Sequence, residues 1–341
     1  MSAHPLAAPF PYFGGKRRAA PIIWRALGDP AGYVEPFAGS AAVLLARPSF
    51  AGRRVETIND ADGWLVNVWR ALQLDPTRVA EHALGPVSEI DYHARLAWLQ
   101  ARRTPDLVAW LEGDPEAHDA KAAGWWLYVA ACGIGDPWGG GPWRVINDRL
   151  VDTRETPDRE CTDSPSGVGA NRELPHLGDA GQGVHRALPH LGDAGRELTD
   201  YLSRIAGRLA RVRITCGSWE RVVQPSVMRA GTGGDGARAL LLDPPYSTSG
   251  DLYAATTHDV STDVRAWCET APSNLRIVLC GYDDEHDALL AHGWDKVAGK
   301  AGGGAGYSTR ADNGRRERLW LSPACLGLHE QASLLDDEAA S

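Results

Sequence analysis

The chain has little of what would take it out of the aqueous, folded class. No apolar run approaches the ~18 residues that a membrane-spanning helix needs. The opening segment, MSAHPLAAPFPYFGGK, lacks a basic stretch followed by an apolar one, so neither a membrane anchor nor a secretory leader is expected. Cysteine is sparse: the six, at 132, 161, 216, 268, 280 and 325, form no CxxC pair and keep no regular spacing. That excludes a readable disulfide framework and a four-cysteine zinc site, and leaves reduced, packed thiols in a cytoplasmic setting as the expectation, with no metal needed. Lysine is scarcer still, four residues against 31 arginines, a bias that with abundant Ala and Gly reads as GC-rich coding. Positive charge as a whole is outnumbered, 35 to 44, for a net charge of -9. A protein that coats nucleic acid by bulk electrostatics is thereby disfavoured, although a local basic groove is not. With 43% hydrophobic and 23% charged residues over 341 positions, disorder is excluded and there is room for one large domain or two.

Residues 8–72 read as an α/β unit: a Gly turn, a helix from about Arg17 to Leu27, a strand at Gly32–Val34, a helix from Ser40, a strand near Val55–Ile58 and a helix through Trp69. Residues 198–325 resume the same style. Leu198, Leu202, Ile205, Leu209 and Val212 recur at three- and four-residue steps, marking an amphipathic helix that leads into a strand at Val212–Cys216. Further strands are expected at Ala239–Leu242, Leu275–Cys280, Trp294–Val297 and Arg318–Leu321. Between the halves, 73–130 is mainly helical, with Trp98, Leu99, Trp110, Leu111, Trp125, Trp126 and Tyr128 as apolar anchors. From Cys132 the chain turns loop-like, starting with GIGDPWGGGPWR. It carries a tandem copy, LPHLGDAG at 174–181 and again at 188–195, which reads as a duplicated surface insertion. His176, His185 and His190 beside Asp179 and Asp193 fit no standard metal spacing. Residues 326–341 form an acidic tail.

Three segments carry chemistry. In Ala239–Tyr246, ALLLDPPY, a buried apolar strand delivers Asp243 and Tyr246 to the carboxyl edge of a sheet, where open α/β folds bind ligands. Pro244 and Pro245 fix the backbone and remove two amide donors, so Asp243 and the Pro244 carbonyl can both accept from an exocyclic NH2 while Tyr246 offers a stacking surface. A plain Asp-Pro-Pro turn is the competing reading. Tyr33–Leu44, YVEPFAGSAAVL, is a strand, an acid and a small-residue turn whose Ala38, Gly39 and Ser40 allow close approach of a ligand. It has one glycine where GxGxxG has three, which disfavours a dinucleotide site. Asp60 stands 25 residues after Glu35 at the end of the next strand, where an acid accepts ribose hydroxyls; helix capping competes for it, with Asp62 a rival cap. In Phe10–Lys16, FPYFGGK, Gly14 and Gly15 let Lys16 reach a ligand carboxylate, and the GxxxxGK[ST] spacing of a P-loop is absent.

FPYFGGK, VEPFAGSAAVLL, INDADGWLVNVW and DPPY, in that order, resemble the Dam-like family of adenine-N6 DNA methyltransferases. The resemblance covers 8–72 and 198–325. It implies a class I methyltransferase fold, a Rossmann-like, mainly parallel seven-stranded sheet between helices, with 73–197 as a helical and loop insertion for target recognition. It implies S-adenosylmethionine as cofactor, double-stranded DNA as substrate, a bacterial or phage source, and a restriction endonuclease as a candidate partner. By motif position Tyr12, Lys16, Glu35, Phe37, Gly39, Asp60 and Asp243 line the cofactor site, and Asp243, Pro244, Pro245 and Tyr246 the catalytic one. Tyr12 stands where some members have Trp. Methylation of another amino group (cytosine N4, RNA adenine or a protein glutamine amide) and a catalytically silent DNA-binding subunit are the alternatives.

For holding DNA, residues 299–318 carry Lys300, Arg310, Arg315, Arg316 and Arg318 against Asp312 and Glu317. This Gly-rich loop between two late strands is expected to grip phosphates through Arg310, Arg315, Arg316 and Arg318. An ordinary solvated loop is the other reading.

Overall fold

The computed structural model describes residues 6–10, 12, 15–85, 88–102, 106–132, 143–146, 149–152, 191–228, 231, 233–245, 260–299 and 316–327. The first unit is α1 (Ala20–Leu27), β1 (Gly32–Glu35), α2 (Ala42–Leu45), β2 (Val55–Asp60) and α3 (Gly63–Leu74). Helix α1 starts three residues later than its sequence suggests, because Arg17–Ala19 form a turn ahead of Pro21 in the first helical turn, where its missing N–H costs nothing. Helix α2 is a single turn rather than a run from Ser40: Gly39 and Ala41 have φ of 48° and 47°, a left-handed geometry that delays the helix. Strand β2 runs two residues beyond its expected end, carrying Asp60 within the sheet.

The insertion contributes α4 (Pro76–Ala83), α5 (Glu89–Ala101), α6 (Asp106–Gly113), α7 (Ala120–Cys132) and a hairpin, β3 (Trp143–Ile146) with β4 (Arg149–Asp152). The hairpin corrects the reading of this stretch as loop. Trp126, Tyr128, Leu99 and Leu111 are buried, but Trp110 is 46% exposed and is no anchor. Trp98 and Trp125 meet edge to face at 4.8 Å and are covered by Lys121, with Arg102 over Trp98. Helix α8 (Leu191–Leu209) starts inside the second copy of the repeat, where the sequence suggests loop. The first copy, His176, His185 and His190, and the segment Gly133–Gly140 lie outside the described residues.

The remaining elements are β5 (Val212–Cys216), β6 (Arg238–Leu242), α9 (Val260–Thr270), β7 (Leu275–Tyr282), β8 (Asp295–Ala298) and β9 (Glu317–Leu321). The sheet order is β5-β2-β1-β6-β7-β9-β8. Neighbours from β5 to β7 are parallel, and β9 is antiparallel to both β7 and β8. This mostly parallel seven-stranded sheet between helices agrees with a class I methyltransferase fold. Its strand order reverses between β1 and β6, which opens a crevice at their carboxyl ends.

Alternation along the strands sorts the core into two layers. Tyr33, Ile58, Leu241, Cys280 and Leu319 join the layer that includes α1, α3, α4, α7 and α8. Val34, Leu240, Leu242, Leu279 and Trp320 join the layer under α9. Insertion and sheet therefore share one apolar layer. Among the described residues, no helix is long and apolar enough to cross a membrane.

Candidate functional site

At the carboxyl ends of β1, β2 and β5, backbone and side chains tie three loop starts together. Asn59 donates its amide to the carbonyls of Pro36 at 3.0 Å and Gly217 at 2.9 Å, and accepts from the Thr215 hydroxyl at 2.9 Å. The turn after β1 is held from both sides: Gly39 donates N–H to Asp60 Oδ2 at 3.0 Å, and its carbonyl accepts from Trp69 Nε1 at 3.0 Å. The Tyr12 ring lies against this turn so closely that a Cβ on Gly39 would stand 2.7 Å from Tyr12 Cε1. With φ of 48° there as well, glycine is required at 39 on two counts.

Asp60 also accepts the Asp62 N–H at 2.9 Å, while Asp62 caps α3 by accepting from Trp64 N–H at 2.9 Å. The competition over the helix cap is thus settled for Asp62, which leaves Asp60 at the strand end. Burial pushes the Asp60 carboxyl up to about 6 against the lowering effect of those backbone N–H donors. Glu35 is more enclosed, at 2% exposure. The Tyr33 hydroxyl donates to it at 2.7 Å. Burial raises its carboxyl to about 7, against lowering by the hydrogen bonds from Tyr33 and the Leu44 backbone.

Asp243 follows β6 and shares the sheet face of Ala239 and Leu241. Lys16, just ahead of α1, places its ammonium 2.8 Å from Asp243 Oδ2 and 2.9 Å from Glu317 Oε1. The Lys16 side chain is 4% exposed, Glu317 7% and Asp243 20%, so the carboxylate after β6 is the member of the cluster most open to solvent. Sequence reasoning aimed Lys16 at a ligand's carboxylate; its ammonium lies between two of the protein's own. Pro244 is buried and Pro245 half-buried. Tyr246 lies outside the described residues.

Phe37, beyond β1, faces Trp219 with ring centroids 6.2 Å apart and planes tilted by 31°. Trp219 in turn meets Trp267 of α9 edge to face at 6.1 Å. These tryptophans line an open depression of about 510 Å³ with Glu220, Val223, Gln224 and Asp263.

Of the expected site residues, Tyr12, Gly39 and Asp60 meet at one turn, and Lys16 and Asp243 meet at the end of β6. Glu35 and Phe37 leave β1 on either side of Pro36, Glu35 into the core and Phe37 toward Trp219. Of the four arginines expected to hold DNA, Arg310 and Arg315 lie outside the described residues. Arg316 pairs with Asp283 at 2.6 Å. Arg318 is a residue of β9, donating to the Glu317 carbonyl at 2.9 Å, rather than part of the loop.

Sequence reasoning missed Asn59, Trp219 and Glu317. Glu317 was legible in principle, since it precedes Leu319 and Leu321 at two-residue steps on one strand face. Among the described residues no cluster of His, Cys, Asp and Glu is arranged to hold a metal ion.

Residues 12–93, which run from ahead of α1 into the start of α5, match the family model of the D12 class N6 adenine-specific DNA methyltransferase. No curated protein matches the chain.

Proposed function

We propose that the chain is an N6 adenine-specific DNA methyltransferase, the family whose D12 class model residues 12–93 match, and that its residues divide the work as follows. S-adenosylmethionine, the donor that methyltransferases of this family use, fits the residues at the carboxyl edge. They offer aromatic rings for its purine, Phe37 and Trp219, and a strand-end carboxylate, Asp60, for hydroxyl hydrogen bonds. The tightly folded turn at Gly39 brings backbone to the same place. When bound, the cofactor supplies an electrophilic methyl group. Tyr12, Glu35 and Lys16 support the pocket from behind: Tyr12 by packing on Gly39, Glu35 by holding Tyr33 and the Leu44 backbone of α2, Lys16 by fixing Asp243.

The target adenine leaves the duplex, because its N6 is out of reach inside the base stack; unstacking costs a few kcal/mol. Asp243 and the Pro244 carbonyl accept the two N6 hydrogens, which draws electron density onto nitrogen and aims its lone pair. Tyr246 gives the extruded base a stacking surface. The rate then comes from positioning and electrostatics, with no covalent intermediate.

The observation that carries this reading is the carboxylate of Asp243, held by Lys16 at the β1/β6 crevice and yet the most exposed member of its cluster. Labelled S-adenosylmethionine and mixed-sequence double-stranded DNA, followed by nucleoside analysis, test it. N6-methyldeoxyadenosine is the expected product; label in N4-methyldeoxycytidine, or none above an Asp243→Ala control, would overturn it.

A further inference from the structure

Lys16, Lys296, Arg47 and Arg208 all end on carboxylates. Among the described residues Arg95 of α5, Arg102 at the end of α5 and Lys121 of α7 form no ion pair, and each rests on aromatic rings instead. Spacing explains the arrangement. Arg95, Trp98 and Arg102 stand three and four residues apart, and Lys121, Trp125 and Tyr128 four and three apart, so each set shares one helix face. The two faces interleave. The Arg95 guanidinium lies 3.8 Å from the centre of the Tyr128 ring and 5.7 Å from that of Trp125. The Lys121 ammonium lies 4.4 Å from Trp125 and 5.0 Å from Trp98, and the Arg102 guanidinium 3.8 Å from Trp98. Lys121 and Arg102 thus share one ring as like charges, and neither has a carboxylate partner among the described residues. The nearest acid in the chain to Lys121, Asp119, accepts the Ala122 N–H at 2.8 Å. Arg95 packs on Gly85, where an added Cβ would stand 2.6 Å from its Nη2; Arg102 is exposed and Lys121 half-buried.

We propose that this row of cations and rings on α5 and α7 is a docking surface for the phosphate backbone of duplex DNA. The proposal rests on the reading of duplex DNA as substrate. A phosphodiester beside Arg102 and Lys121 supplies the anion that their shared ring does not, and a guanidinium stacked on a ring still donates from its edge. Ring contact also orders both side chains before any ligand arrives, which lowers the entropy cost of binding. In a chain of net charge -9, backbone contact needs such a local surface, because the protein as a whole does not attract phosphates. The row is firmly mounted. Trp98 and Trp125 pack against the core layer shared by insertion and sheet. Trp126, the next residue along α7, meets Phe10 edge to face at 4.7 Å, Phe10 meets Tyr12 at 6.2 Å, and Tyr12 lies on the Gly39 turn. A duplex held on this surface is therefore held by helices packed onto the segment that supports the crevice. Such contacts position the duplex and read no sequence.

The test measures binding of the full chain to two duplexes of unrelated sequence over a salt series, for the wild type, Arg102→Gln, Lys121→Gln and the double variant. Each single change is expected to weaken both duplexes by the same factor and to lower the slope of log affinity against log salt by about 0.9, the pair by about 1.8. Lys121→Arg keeps a cation on the rings and is expected to keep the slope. Thermal stability is read beside it, because cations that only cover the rings would register there. Lower stability with an unchanged slope, weakening confined to one duplex, or a Lys121→Arg variant that loses as much slope as Lys121→Gln would each overturn the proposal. Arg102 is exposed, so Arg102→Gln alone decides the question if Lys121→Gln does not fold. A wild-type chain that binds both duplexes but leaves adenine unmethylated defeats the proposed reaction and leaves this surface standing. One that binds neither duplex defeats the reading of DNA as substrate on which it rests.

Discussion

The sheet carries a buried ionic cluster at each end of its strands, one centred on a carboxylate and the other on an ammonium. At the amino end, Glu56 of β2 receives two guanidinium groups: Arg208 of α8 in a fork at 2.6 and 2.8 Å, and Arg47 at 2.9 Å. Both arginines are further committed, Arg208 to the Leu44 carbonyl at 3.1 Å and Arg47 to the Pro30 carbonyl and Asp29. Arg208 also covers Phe50, and Arg47 covers Trp24. At the carboxyl end one ammonium is divided between two carboxylates, one of them 20% exposed. The first cluster is a bracket that joins α8 to the sheet. The second leaves a carboxylate facing outward.

Removing the hub of the bracket should have the largest effect. Glu56→Ala leaves two buried guanidiniums without their shared partner and is expected to cost about 3–5 kcal/mol of stability, read from the shift in denaturant midpoint. A cost under about 1 kcal/mol would mean that the two clusters do not differ in structural role. At the other end, Asp243→Ala should lower the methylation rate by about 100-fold or more with little change in denaturant midpoint and far less in cofactor affinity. Activity within about threefold of wild type would return Asp243 to the status of a turn residue.

Two smaller effects sharpen the contrast between residues that face the crevice and those behind it. Asp60→Ala is expected to weaken cofactor binding by about 1.5–3 kcal/mol, the worth of a hydrogen bond to a charged group; unchanged calorimetric affinity would take Asp60 out of the site. Glu35 should instead register as stability. Its carboxyl sits at about 7 in the folded protein against an ordinary 4.5, so the folded state holds the proton more tightly than the unfolded chain. Its contribution is complete below the ordinary value and declines as pH rises through 7. Between pH 6 and 7 that decline is about 1 kcal/mol. Glu35→Gln should flatten the stability profile over that interval, and an unaltered slope would show that Glu35 titrates like a solvated acid.

Much of the site was legible because its signals are local. The DPPY turn, the small-residue turn after β1 and the acid at the end of β2 all sit where an apolar strand stops, and a strand's end can be read from its own residues. The rivalry of Asp60 and Asp62 was visible too, but choosing between them required the helix start, which the Trp64 N–H assigns to Asp62. Where sequence reasoning went astray, the missing information was a partner distant in the chain. Glu317 was counted as one of two acids diluting a basic loop, since nothing near it shows that an antiparallel return sets it beside Lys16, 301 positions away. Arg316 and Arg318, expected at phosphates, stand beside Asp283 and within β9, placements that only the fold supplies. Trp219 lies in a stretch with no periodicity, and only its approach to Phe37 singles it out.

The sequence by itself determined the kinds of element and the chemistry at their ends, because alternation, helical spacing and turn residues act over a few positions of chain. It placed Asp243 and Asp60 at strand termini and a small-residue turn at Ala38, Gly39 and Ser40. Only the tertiary structure decided which ends meet. The strand order puts β1 beside β6 and returns β9 against β7, and that packing brings Lys16, Asp243 and Glu317 to one point. Whether an acid becomes a helix cap, a buried proton holder or an outward acceptor depends on what desolvates and faces it, and those neighbours come from segments far along the chain.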